Sequence, residues 1–132
     1  MQTFEPIFNK LQELFIDWLP DYVLKNNEEH NDGIILNVFE NSDLTTNCNK
    51  LPCFKFSMEE ADYTEKDRIL ENTVYIVSFD LNLNPHCESK IIVFWRYVEA
   101  IQLMLKENEC DIWNTIDVFR VSESKIYLRI VR

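Results

Sequence analysis

With 46% hydrophobic and 13% aromatic residues, this chain of 132 residues has the size and apolar content of one domain with a real core, which excludes an intrinsically disordered chain. Its formal net charge of −10 disfavours a surface that coats nucleic acid or lies on an anionic membrane, because both need lysine and arginine in excess. Gly33 is the single glycine, so the P-loop and the Rossmann fingerprint, which need glycine where backbone approaches phosphate, are both absent.

The acid is unevenly spread. Residues 113–132 hold four basic side chains against two acidic ones, so the acidic excess lies in the rest of the chain. The N-terminal stretch has neither a basic nor an apolar signal region, and no apolar run reaches the ~18 residues of a membrane span. A single domain over residues 1–132, cytoplasmic and with reduced thiols, is the expectation.

In chain order, Ile7, Phe8, Leu11, Leu14, Phe15, Trp18 and Leu19 fall on one face of a helix that Pro6 can open. Pro20 is expected to end or kink it, with a polar loop from Lys25-Asn26-Asn27 onward. Residues 34–40 read as a strand, 41–50 as a turn-rich connection, and 51–57 as a second strand with Pro52 at its start. Eight charged residues lie between Met58 and Glu71, and this run reads as a solvated loop.

The clearest element is the third strand, residues 73–83. Tyr75, Val77, Phe79, Leu81 and Leu83 point one way, and Ser78, Asp80 and Asn82 point the other. A helix over about 88–108 follows, with Ile91, Phe94, Trp95, Val98, Ile101 and Leu105 on its apolar face. A hairpin of residues 112–121 and 125–131, turning at 122–124, closes the chain. The last strand alternates Ile126, Leu128 and Ile130 against Tyr127, Arg129 and Val131, and it is either internal or an edge that pairs with a neighbouring chain. The order α-β-β-β-α-β-β implies an α+β fold, a mostly antiparallel sheet with two helices packed on one face.

No cluster announces chemistry. Cys48 and Cys53, with the His86-Cys87 doublet, are the candidate zinc ligands, but the spacing is borderline and isolated thiols are the simpler reading. Cys110 lies between Glu109 and Asp111, which disfavour a thiolate nucleophile. His30 and His86 fall in expected loops, without a nucleophile at a recognised spacing. The acidic run lacks the glycine and alternate oxygen ligands of an EF-hand loop. Trp18 and Trp95 read as core, and Trp113 as a strand-opening interface residue. Neither an enzyme nor a cofactor is expected.

Leu51-Pro52-Cys53-Phe54 at a strand start, the charged run, the alternating strand, the stretch Arg96-Tyr97-Val98-Glu99-Ala100-Ile101 and the final hairpin together resemble the tail-terminator, or tail-completion, proteins of long-tailed bacteriophages and prophages. The resemblance covers most of the chain at the level of pattern. Four cysteines and the near absence of glycine depart from it. It implies a non-enzymatic structural protein that forms a ring, often hexameric, at the head–tail junction and contacts other tail and connector proteins. It implies no membrane, no small-molecule substrate and no specific nucleic-acid binding, and an acidic lumen would repel DNA. The residues singled out for an assembly surface are Ser78, Asp80, Asn82, Trp113, Tyr127 and Arg129. The rival readings are a type III secretion chaperone, which would normally end in a further amphipathic helix, and an immunity-type protein that neutralises a basic toxin.

Overall fold

The computed structural model describes residues 4–37, 53–66, 69–83 and 89–132, with side chains at all of these except 62–66 and 69–72. Three helical segments open the chain without a break: α1 (Glu5–Gln12), a π-helical stretch (Glu13–Trp18) and α2 (Leu19–His30). Then follow β1 (Cys53–Lys66), β2 (Ile69–Asn82), α3 (Lys90–Glu107), β3 (Thr115–Ser122) and β4 (Lys125–Val131). The strands form one antiparallel sheet in the order β1-β2-β4-β3. The fold is α+β, with the α1–α2 rod and α3 on one face of the sheet.

Pro20 does not end the first helix. It lies in the first turn of α2, where a missing N–H costs nothing. The π turn just before it closes five residues back, with the Leu19 N–H donating to the Leu14 carbonyl, and this wider turn makes room for the ring. It also changes the phase of the apolar stripe. Leu19, not Trp18, follows Leu14 on the buried face, and Trp18 is turned out to 46% exposure. The helix then runs through the expected loop at Lys25-Asn26-Asn27 and stops at Asn31, in the left-handed conformation (φ 39°) that favours a helix end.

The expected strand over 34–40 is not formed at 34–37, and 38–40 lie outside the described residues. Side chains take the place of a pairing strand. The Asn27 amide accepts from the Leu36 N–H (2.7 Å) and donates to the Leu36 carbonyl (3.0 Å). Arg96 donates to the Ile34 carbonyl and Tyr97 to the Asn37 carbonyl. The Leu36 N–H and the carbonyls of Ile34, Leu36 and Asn37 are thus satisfied without a ladder.

The charged run after Met58 is strand, not loop, up to Lys66 and again from Ile69; Asp67 and Arg68 lie outside the described residues. Cys53 pairs with Asn82 and the ladder continues to Lys66 opposite Ile69, interrupted by bulges near Met58 and Thr64. Fourteen residues make each strand ~48 Å long, about twice the length of β4. β4 pairs with β2 from Val74 to Asp80, and Thr73 exchanges two backbone hydrogen bonds with Arg132; beyond Thr73, β1 and β2 are the only strands among the described residues.

Between sheet and helices, Tyr75, Val77, Phe79 and Leu81 of β2 and Ile126, Leu128 and Ile130 of β4 are all buried, as their alternation predicts. Phe15 stacks on Phe79 (4.0 Å between centroids, 14° between planes), and Phe54 and Phe56 meet Phe79 edge-on. On α3, Phe94, Tyr97, Val98, Ile101, Met104 and Leu105 form the buried stripe. Ile91 (77% exposed) and Trp95 (51%), expected inside, lie outside it. Trp113 is the reverse case: it precedes β3 and is buried, only 5% exposed. The final strand is internal, between β2 and β3, and the edges of the sheet are β1 and β3.

Candidate functional site

Among the described residues no helix covers the second face of the sheet, and five of the six residues singled out from sequence share it. Ser78 stands opposite Tyr127, Asp80 opposite Lys125, and Arg129 between Ile76 on one side and Asp117 on the other. Asn82 continues this face past the end of β4. Trp113 does not belong to it.

Each has a defined role there. Ser78 is buried and donates to Glu59 Oε1 at 2.7 Å, so it braces the sheet rather than offering a contact. Asp80 accepts a hydrogen bond from the Ser124 hydroxyl and ties β2 to the β3–β4 turn. Asn82 donates weakly to the Asp80 carbonyl, at 3.4 Å. Tyr127 lies between the Phe119 ring, 6.3 Å away, and the Arg120 guanidinium, 5.4 Å above it. Arg129 is exposed. Phe119 and Arg120 were not legible from sequence because the bulge between Val118 and Arg120 breaks the alternation.

A second polar centre holds residues 31–37 against α3. Arg96 donates two hydrogen bonds to Asp32, at 2.6 and 3.0 Å. This forked pair holds the Asp32 carboxyl well below the usual carboxylate range, against a smaller opposing effect of burial, and raises Arg96. Glu99 accepts from Asn26 and meets His30, each at 3.2 Å. The buried Asn26 Oδ1 has no hydrogen-bond partner among the described residues.

Asp32 gives a pH prediction. A carboxyl depressed on folding stabilises the fold fully above its unfolded value near 3.8, and that stabilisation is lost as pH falls below it. Urea melts at pH 7 and pH 3 should show a drop in stability that Asp32→Asn makes smaller. An equal drop in both proteins would remove Asp32 as a source of acid sensitivity.

Of the two described cysteines, Cys53 departs from the expected isolated thiol and Cys110 does not. Cys53 is disulfide-bonded, its partner cysteine lies outside the described residues, and Cys110 is free. The expectation of a reducing compartment loses the support it took from reduced thiols. Cys48, His86 and Cys87 lie outside the described residues. Among the described residues no three His, Cys, Asp or Glu side chains are grouped to hold a metal, and no helix is long and apolar enough to cross a membrane.

Two open grooves flank α3. One, of about 500 Å³, lies at its N-terminal end among Leu81, Leu83, Ile91, Phe94, Trp95 and Val121. The other, of about 470 Å³, runs between its C-terminal half and β3, along Asn114 to Val118. Comparison with protein-family models, with curated proteins and with solved structures found no match.

Proposed function

We propose that this protein is a non-enzymatic structural protein that works by assembling with copies of itself. The observation that supports the reading is a four-stranded sheet with helices on one face and, among the described residues, none on the other, in which β3 is an outermost strand. An outermost strand presents backbone groups that ordinarily invite another strand. The second face carries Tyr127, Phe119, Arg120 and Arg129, a mixture of aromatic and arginine side chains that is typical of protein interfaces.

The pattern-level resemblance gives this assembly its most specific form, a ring at the phage head–tail junction that joins other tail and connector proteins. Its place would be the bacterial cytoplasm during assembly and the virion afterwards. The net charge of −10 supports a lumen through which DNA passes without adhering.

Light scattering over a concentration series, with electron micrographs of the largest species, tests the reading. Growth to a closed ring with a central hole is the expected result. A chain that stays monomeric throughout the series, in low and physiological salt, overturns it.

A further inference from the structure

The apolar layer of the sheet does not close at β3. Ile116, Val118 and Val121 stand opposite Ile130, Leu128 and Ile126 of β4, which are fully buried, yet are themselves only partly buried. Beside them lies the groove of about 470 Å³, which Thr115 through Val118 line in unbroken succession. One face of a strand would contribute alternate residues, so it is the backbone edge that opens into this space. An extended segment laid there would gain main-chain hydrogen bonds from β3 and continue the apolar layer beside α3.

We propose that the occupant is β3 of a second copy of this chain, added antiparallel about a twofold axis normal to the sheet, which keeps the helices of both copies on one side. The bulge between Val118 and Arg120 reverses the alternation of β3. Thr115, Asp117, Arg120 and Ser122 therefore share the second face of the sheet, and Ile116, Val118 and Val121 share the core face. Residues opposite each other in a ladder must share a face. A regular strand of eight residues paired end to end with itself would break that condition, because its two ends point to opposite faces. The bulged β3 meets it: with Thr115 opposite Ser122 of the second copy, Ile116 meets Val121 and Asp117 meets Arg120. A bulge ordinarily blunts an edge strand. Here it lies at the midpoint of the strand, so the two bulges coincide at the axis and the ladder runs on either side of them.

Charge selects the same occupant and the same register. Asp117 is the one acidic residue of β3 and Arg120 the one basic residue. Both are exposed, and neither makes an ion pair among the described residues. The twofold sets each against the other across the contact, which makes two cross-strand pairs of opposite charge. Such a contact is isologous and closes at two copies, so a larger ring would be built from these pairs through a further surface.

The inference rests on the self-association reading, and its test separates the two. Asp117→Arg and Arg120→Asp each set like charges opposite each other in the pair; both residues are exposed, so neither change opens the core, and circular dichroism with a urea melt checks the fold. Sedimentation should show each variant associating about tenfold more weakly than the parent. An equimolar mixture of the two variants should recover most of the loss, because one chain then offers two arginines and the other two aspartates. Variants that associate like the parent overturn the β3 contact and leave self-association standing. Weakened variants whose mixture stays weak overturn the pairing of Asp117 with Arg120, and with it this contact. A parent that never associates overturns both readings.

Discussion

Replacing Phe79 with alanine is expected to cost about 3–5 kcal/mol, the range for removing a fully buried aromatic side chain. Phe79 has no exposure and touches three other rings: Phe15 stacked on it, Phe54 and Phe56 edge-on. Those rings come from the first helix and β1, so the substitution opens a cavity where three elements meet. Each aromatic pair adds about 0.5–1.5 kcal/mol beyond its buried area. Against a typical total stability of about 5–15 kcal/mol, the loss is enough to populate unfolded chains at room temperature. A urea melt should show a lower midpoint with an unchanged slope. Phe119→Ala is the control: Phe119 is 48% exposed, and its loss should shift stability by no more than about 1 kcal/mol. Equal effects at the two positions would mean that the stacked cluster is not the centre of the core.

Trp113→Ala carries the second large effect, also about 3–5 kcal/mol. Trp113 is nearly buried on the approach to β3 and lines the groove beside Leu105 and Ile116. Trp18 and Trp95 are each about half exposed, and alanine at either should cost roughly 1 kcal/mol or less. Denaturant melts of the three variants rank them directly, and loss of Trp113 should remove the bluest-emitting component of the native fluorescence. A ranking with Trp18 or Trp95 above Trp113 would restore the opposite assignment, in which the helix tryptophans are core and Trp113 is an interface residue.

The tryptophans also show where reading the sequence stops. Trp18 falls on the apolar face only if the helix keeps 3.6 residues per turn, and the π turn before Pro20 breaks that phase. Trp95 is next to the buried stripe of α3 but one position off it. A pattern of apolar residues gives a face to within about one position, and the contacts of the sheet choose the rest. The candidate assembly residues divide in the same way. Alternation correctly put Asp80, Tyr127 and Arg129 on one sheet face, but not the burial of Ser78, which depends on Glu59 reaching it from the next strand.

Several features were fixed locally and needed no tertiary information. The alternation of Tyr75, Val77, Phe79 and Leu81, and of Ile126, Leu128 and Ile130, placed two strands with their buried faces correctly, because a strand's side-chain period is a property of the backbone alone. The extent of α3 and the closing hairpin were legible for the same reason. Tertiary structure alone decided the rest. The charged run became strand because β2 lay beside it to take its backbone hydrogen bonds, whatever its side chains prefer. Residues 34–37 lie outside the sheet, where side chains of Asn27, Arg96 and Tyr97 hydrogen-bond to their backbone instead. The last strand lies inside the sheet, and β1 and β3 became its edges, because hydrogen-bond partners are chosen across long separations in the chain, where a local pattern carries no information.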